Sequence, residues 1–274
     1  MSKANRSMLW IFFLLVACVQ LFPLVWLVDF SLVDSNEFFS DSVLVWPDII
    51  KWQNYINAWV DGQFVRYLIN SVIVSGATII LTTVISLSMA YAFTRMEWKW
   101  RAFFFGVILL GIMIPIHATL LPNFAIFKTL GLTDSYWGLI LPYTAVSVPF
   151  STFILTGFMR SIPRAIEESA VMDGASIYRT VFQIILPLTM PAVVTVAVTT
   201  FLNCWNEFIM AYTFISNNSL KTLPFSVMNF AGQYASDYGS QFAVMVLTSI
   251  PAIVIYAIFN EKITKGVTAG AVKG

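Results

Sequence analysis

An all-α, polytopic membrane fold with six transmembrane helices is predicted for this 274-residue chain by three observations. Hydrophobic residues make up 58% of it and charged ones 11%, against roughly 45–50% and about 25% in ordinary soluble domains. Six apolar stretches reach the length of about 20 residues that a helix needs to cross a bilayer core. The cations are spread unevenly around those stretches, which sets an orientation. Lipid is therefore the solvent for much of the surface. The net charge of +1 argues against a polyanion-binding surface, and so against a nucleic-acid partner.

The stretches run over 8–28, 67–93, 102–122, 137–159, 186–212 and 242–260. Several contain Gly or Pro (Gly76, Gly111, Pro115, Pro142, Pro149, Pro191, Pro251), which neighbouring helices accommodate in a membrane bundle. With the N-terminus in the cytoplasm, eleven cations fall inside, among them Arg6, Arg95, Lys99, Arg160, Arg164 and Arg179. Only Lys51, Arg66, Lys128 and Lys221 stay outside. Both termini are then cytoplasmic, and so is the polar segment 160–185.

Lys3 and Arg6 before an apolar run, with Leu15-Val16-Ala17-Cys18 inside it, suggest a secretory or lipoprotein signal. The apolar run continues through Leu21, Phe22, Pro23 and Trp26 where a lipoprotein has a polar linker, so an uncleaved first span is expected. Cys18 and Cys204 both lie in spans and form no disulfide framework. The outer loop from Asp29 to Arg66 carries WPDIIKWQNYINAW (46–59), with Ile49, Trp52, Ile56 and Trp59 at helical spacing and Asp48 positioned as a cap. A helix lying in the membrane interface accounts for those rings; stacking on a sugar is the alternative.

Between the fourth and fifth spans, EESAVMDGASIYRTVFQIILPLTMP (167–191) breaks the apolar pattern. Pro163 suits the first turn of a helix, which runs to about Asp173 and stops at Gly174. Ser176 caps a second helix, IYRTVFQIIL, which climbs towards Pro187 and Pro191. Ile162, Ile166 and Ala170 share a stripe while Glu167, Glu168 and Asp173 stay polar, so the first helix is too short and too charged to span. Ser169, Ala170, Gly174 and Ala175 allow close backbone approach, and a carboxylate there can pair bidentately with a partner's Arg. A plug for a socket on another protein and a solvated connecting loop both fit these residues.

Chemistry-bearing signatures are few. The single His, His117, excludes a two-histidine zinc motif, and no nucleophile elbow is present. Interhelical hydrogen bonding is the expected role for His117 within MIPIHATLLP. In GVTAGAVKG, Ala271 and Val272 stand where a phosphate loop starting at Gly266 needs Gly-Lys, so no ATP site is expected. Asn203, Asn206 and Glu207 sit towards one end of the fifth span, where a charge costs about 2.5–3.5 kcal/mol unless it meets water or a polar partner. They and Trp205, whose ring could stack on a pyranose, fit a substrate pathway; a structural hydrogen-bond node fits them as well. Tyr143, Phe150 and Phe153 read as packing or lipid-facing.

Glu168-Ser169-Ala170, Gly174 and Ile184-Ile185-Leu186-Pro187 resemble the EAA loop of the membrane-spanning subunits of bacterial binding-protein-dependent ABC importers. Ser replaces the middle Ala, a small residue for a small one. YLINSVIVSGATIILTTVISLSMAYAFTR (67–95), LPYTAVSVPFSTFILTGFMRSIP (141–163), CWNEF (204–208) and the terminal GVTAGAVKG are similar to the maltose-type carbohydrate permease subunit. That resemblance implies a type I importer transmembrane domain in the bacterial inner membrane, with 160–185 as its coupling loop and the short helix as its coupling helix. The ATPase-coupling residues it implies are Glu167, Glu168, Ser169, Ala170, Asp173, Gly174, Ala175, Leu186 and Pro187, with Glu168 paired to an ATPase Arg. It further implies that the tail 263–274, through Gly266, Gly270 and Lys273, contacts the ATPase. The implied partners are a second, different permease chain, an ATPase dimer that uses ATP and Mg, and an extracellular sugar-binding protein. The chain itself would bind no cofactor. A secondary, ion-coupled transporter or channel is the rival class, but it commonly shows internal repeats and no segment here recurs.

Overall fold

The computed structural model describes residues 3–39, 47, 49–232 and 236–271, without the side chains of 3, 4, 39 and 262–271. Twelve α-helices, interspersed with short 3-10 and π-helical stretches, follow one another among the described residues, with no strand. Helix α1 is Lys3–Phe30, α2 Gln53–Val60, α3 Phe64–Thr94, α4 Arg101–Leu110, α5 Leu120–Thr129 and α6 Trp137–Met159. Helix α7 is Ala165–Met172, α8 Ile177–Arg179, α9 Leu186–Leu188, α10 Met190–Asn206, α11 Ile209–Phe214 and α12 Tyr238–Ala271. Four of them (α1, α3, α6, α12) are long and apolar enough to cross a bilayer, and two bent pairs bring the number to six.

The bends have local causes. The third predicted span turns by 93° between Arg101–Met113 and Ile116–Thr129. Ile114 and Pro115 are extended there (ψ 112 and 130), because a residue before proline is driven out of helical geometry and proline supplies no N–H. The chain entering the fifth predicted span, 186–212, turns by 80° between Ile177–Leu188 and Met190–Asn206, and the continuous helix ends at Asn206 rather than 212. The bend falls at Thr189, which sits at ψ 4 just before Pro191 opens α10. A π-helical stretch, Thr180–Ile185, joins α8 to α9. The expected helix from Ile177 is thus present but wound more loosely than an α-helix.

The chain forms two compact units, 1–67 with 223–251 and 68–222 with 252–274. In the first, Trp26, Phe30, Phe38 and Phe242 make an aromatic cluster with ring centroids 4.4–5.7 Å apart. The buried Asn54 of α2 donates to the carbonyls of Ser31 and Val33 at 3.0 and 2.9 Å, satisfying a turn after α1. Lys51 forms an ion pair with Asp34. Trp52, Ile56 and Trp59 remain exposed, so the apolar stripe read from the sequence is an outward face. Asp48, expected as its cap, lies outside the described residues.

In the second unit α6 is central: 67% of its apolar window is buried, against 33% for α3. Ser71, Ser75, Thr78, Thr82 and Ser86 form a buried small polar stripe along α3. Ser75 and Thr78 return their hydroxyls to carbonyls one turn back, and Ser86 donates to the Val148 carbonyl of α6 at 3.3 Å. Small side chains of this kind let membrane helices approach where lipid provides no hydrophobic drive between them. At Gly111 an added Cβ would lie 2.6 Å from the Pro149 ring, so glycine is required for the turn after α4 to cross α6. Leu87, Ala90, Leu155, Met159, Ile185 and Val196 close the apolar core.

Candidate functional site

Helix α7 is built as its sequence directs. After Pro163 it begins at Ala165 and ends with Asp173 as its C-cap. Gly174 then takes the left-handed conformation at φ +79. Its N–H donates to the Val171 carbonyl and that of Ala175 to the Ala170 carbonyl, both at 3.0 Å. These two bonds are the Schellman pair, which needs a residue at positive φ. Ser176 then accepts from the Arg179 N–H at 3.4 Å, opening α8. Glycine as stop and serine as restart place two helices at a fixed bend.

The residues expected to couple to a partner divide by face. Glu168, Ser169, Asp173 and Gly174 are exposed, and beside them Val171, Met172 and Tyr178 expose 62–87% of their surface. Glu167 and Ala170, three residues apart on one stripe of the helix, are its buried residues. Ala175 and Leu186 are half-buried and Pro187 exposed. Around Glu167, Arg95 brings its Nε within 2.6 Å of Oε1, although the N–H points off the line that a hydrogen bond needs. Arg95 Nη2 also donates to the carbonyls of Met159 at 2.9 Å and Ile162 at 2.8 Å. Arg164 donates to the Thr94 carbonyl at 3.2 Å. Sequence reasoning had counted Arg95 and Arg164 only as cations that set orientation. Their distance along the chain from the groups they hold left no local signal.

A second polar locus is a cavity of about 630 Å³ whose lining includes His117, Tyr143, Ser147, Asn203, Asn206 and Glu207. The structure brings His117 together with three of the four residues read as a substrate pathway. The fourth, Trp205, is 2% exposed, packs on Phe201 at 4.9 Å and does not line the cavity. Glu207 is the residue at which α10 unwinds (ψ 123). Its carboxylate accepts the N–H groups of Met210 (2.8 Å) and Ala211 (3.2 Å) in the first turn of α11. The Tyr143 hydroxyl donates to it at 2.6 Å from α6. A break within a membrane bundle is tolerated only where its polar groups are satisfied or wetted, and these bonds satisfy the Glu207 carboxylate and two N–H groups of α11. Tyr143, read as packing from the sequence, is the missed member of this locus. Asn206 turns its amide back to the Leu202 carbonyl at 2.9 Å.

Residues 82–269 match the family of binding-protein-dependent transport system inner membrane components. The chain belongs to that family. It is 33% identical over 274 residues to the trehalose transport system permease protein SugB of Mycobacterium tuberculosis, covering 99% of both chains. It is 32% identical to the trehalose/maltose transport system permease protein MalG of Thermococcus litoralis, covering 98% of each. Its fold superposes on a chain of a bacterial ABC transporter involved in alginate import with a TM-score of 0.82, over 95% of this chain and 98% of that one, at 19% identity. The protein is therefore a multi-pass permease subunit, not an enzyme, and works in an ABC importer complex with an ATPase that uses ATP and a binding protein. Gly266 and Gly270 of the expected ATPase-contacting tail lie in the last turns of α12, and Lys273 lies outside the described residues. At about 1.5 Å per residue the 34 residues of α12 run to about 51 Å, beyond the about 30 Å of a bilayer core.

Proposed function

We propose that this chain imports a carbohydrate across the bacterial inner membrane, driven through α7 by a separate ATPase dimer. The observation that carries this reading is the short helix closed at Gly174. It presents Glu168 with Val171 and Met172 to the outside, in a chain whose relatives include permeases named for trehalose and maltose. A short helix that exposes a carboxylate beside apolar side chains suits a groove with an Arg at its wall. Both termini and α7 lie on the cytoplasmic side, where eleven of the fifteen Lys and Arg residues fall. Closure of the ATPase pair on ATP and Mg draws α7 towards the equivalent helix of a second, different permease chain. The attached spans then pass between inward- and outward-facing arrangements. Glu168, Ser169, Asp173 and Gly174 form the ATPase face; Gly266, Gly270 and Lys273 add a second contact.

The cavity around His117, Asn203, Asn206 and Glu207 is this chain's share of the sugar pathway. Its amides, imidazole and hydroxyls match the hydroxyl-rich surface of a saccharide. The buried Trp205 is no stacking platform for it.

The reading is tested by co-purifying the assembled importer with Glu168→Lys in this chain. The substitution puts a like charge opposite an Arg, so the variant is expected to reach the membrane at normal levels and to lose its ATPase. Full retention of the ATPase, with wild-type uptake of the saccharide bound by the cognate binding protein, would refute it.

A further inference from the structure

Two carboxylates stand next to each other on α7, and the helix separates them. Adjacent residues on an α-helix point about 100° apart, so Glu168 faces outward while Glu167 is 8% exposed. Ala170 is the only other buried residue of α7, and one methyl group provides little apolar attachment. A cavity of about 430 Å³ opens beside the helix, lined by Tyr91, Arg95, Arg164 and Glu167 together with the exposed Glu168, Val171 and Met172. Packing alone therefore does not hold α7 against the body of its unit.

Polar contacts hold it instead, and they run in both directions. Arg95 follows directly on the last residue of α3 and reaches the final turn of α6, the Ile162 carbonyl and the Glu167 carboxylate. Arg164, at the base of α7, reaches back to the last carbonyl of α3. Tyr91, one turn up α3, lines the same cavity as Glu167. Both guanidinium groups meet helix C-terminal carbonyls, where positive charge is favoured. A buried ion pair adds little net stability over an apolar pair of the same size; what it does supply is a single permitted position.

We propose that Arg95 and Glu167 are an internal latch that locks α7 to the ends of α3 and α6, so that motion imposed on α7 is delivered to those two helices. This rests on α7 being the ATPase-coupled helix and corrects the expectation for Glu167: it is a positioning residue turned away from the ATPase, not a contact with it.

The test uses the assembled importer in lipid nanodiscs, in a background lacking Cys18 and Cys204. Spin labels go at Ala165 in α7, which is not among the residues assigned to the ATPase face, and at Ile80 in α3, both exposed. With Glu167 intact, one narrow distance is expected, unchanged between nucleotide-free and ATP-bound complexes, because the helices move together. Glu167→Gln keeps size and removes charge. It is expected to keep the ATPase bound but to lose the single distance, which broadens and shifts with ATP; Glu167→Asp restores it. An unaltered narrow distance in Glu167→Gln overturns the latch, as does loss of the ATPase to the extent seen in Glu168→Lys. If Glu167→Gln does not accumulate, Arg95→Lys decides the matter. Its ammonium can pair with the carboxylate but cannot hold both carbonyls, so a broadened distance supports the latch and a narrow one overturns it. Glu168→Lys run in parallel separates the two readings: a retained ATPase there counts against the coupling assignment of α7, whatever the distances show.

Discussion

Gly174 offers a perturbation whose cost within this chain comes from backbone conformation. Its φ is +79, and a Cβ built on it meets no heavy atom of this chain within 4 Å, so an added Cβ strains the backbone without a clash inside the chain. An L-residue in the left-handed region costs about 1–2 kcal/mol relative to glycine, and Asn costs less because it visits that region more readily. A β-branched residue approaches the about 3 kcal/mol upper end for such strain. The two Schellman bonds at 3.0 Å compete directly with that penalty. One or two kcal/mol changes a two-state ratio by a factor of about 5–30, enough to leave the end of α7 mostly unset in Gly174→Val. The assay is ATP-dependent uptake, normalised to ATP hydrolysis, in proteoliposomes holding the assembled importer. Coupling is expected to fall in the order Gly, Asn, Ala, Val, with the ATPase still bound in every variant. An order that follows side-chain volume, with Asn below Ala, would refute the conformational argument. Wild-type coupling in Gly174→Val would refute the hinge itself.

Tyr143→Phe removes the 2.6 Å bond from a 3%-exposed tyrosine to Glu207. A loss of about 1.5 kcal/mol is expected, the low end for bonds to a charged group, because the Glu207 carboxylate keeps its two backbone N–H partners. Thermal unfolding in mild detergent reads it, and an unchanged midpoint would count against Glu207 as a structural node. Asp237 is subject to burial, which raises its pKa. The Ser240 hydroxyl and N–H, with Ser35 and Asn57, outweigh that and hold it below the usual carboxylate value. Its contribution to stability is therefore complete above the unfolded value of about 3.9 and is lost as pH falls through the lower folded value. Asp237→Asn is expected to flatten the acid limb of the unfolding curve and leave no separate transition there; an acid limb identical to wild type would refute the assignment.

Everything set by neighbours in sequence was legible beforehand. Pro163, Gly174 and Ser176 each act within a turn, so the start, stop and restart of the segment around α7 follow from residue type. The apolar stretches likewise mark the membrane-crossing segments, because length and hydropathy are properties of a run. The fold directions within two of them were not visible. Pro115 and Pro191 allow a helix to continue with a kink or to turn sharply, and only packing around them selects bends of 93° and 80°.

Sequence alone therefore determined the solvent, the stretches apolar enough to cross a bilayer and the stop and restart of the helices around Gly174, since each depends on composition or on contacts a few residues apart. Tertiary structure decided the partners of identical chemical groups. Glu167 and Glu168 are the same residue side by side, and only the body behind α7 pairs one with Arg95 and leaves the other exposed. Glu207 and Tyr143, 64 residues apart, become one unit for the same reason: a buried charge takes its role from whatever the fold brings within hydrogen-bond reach.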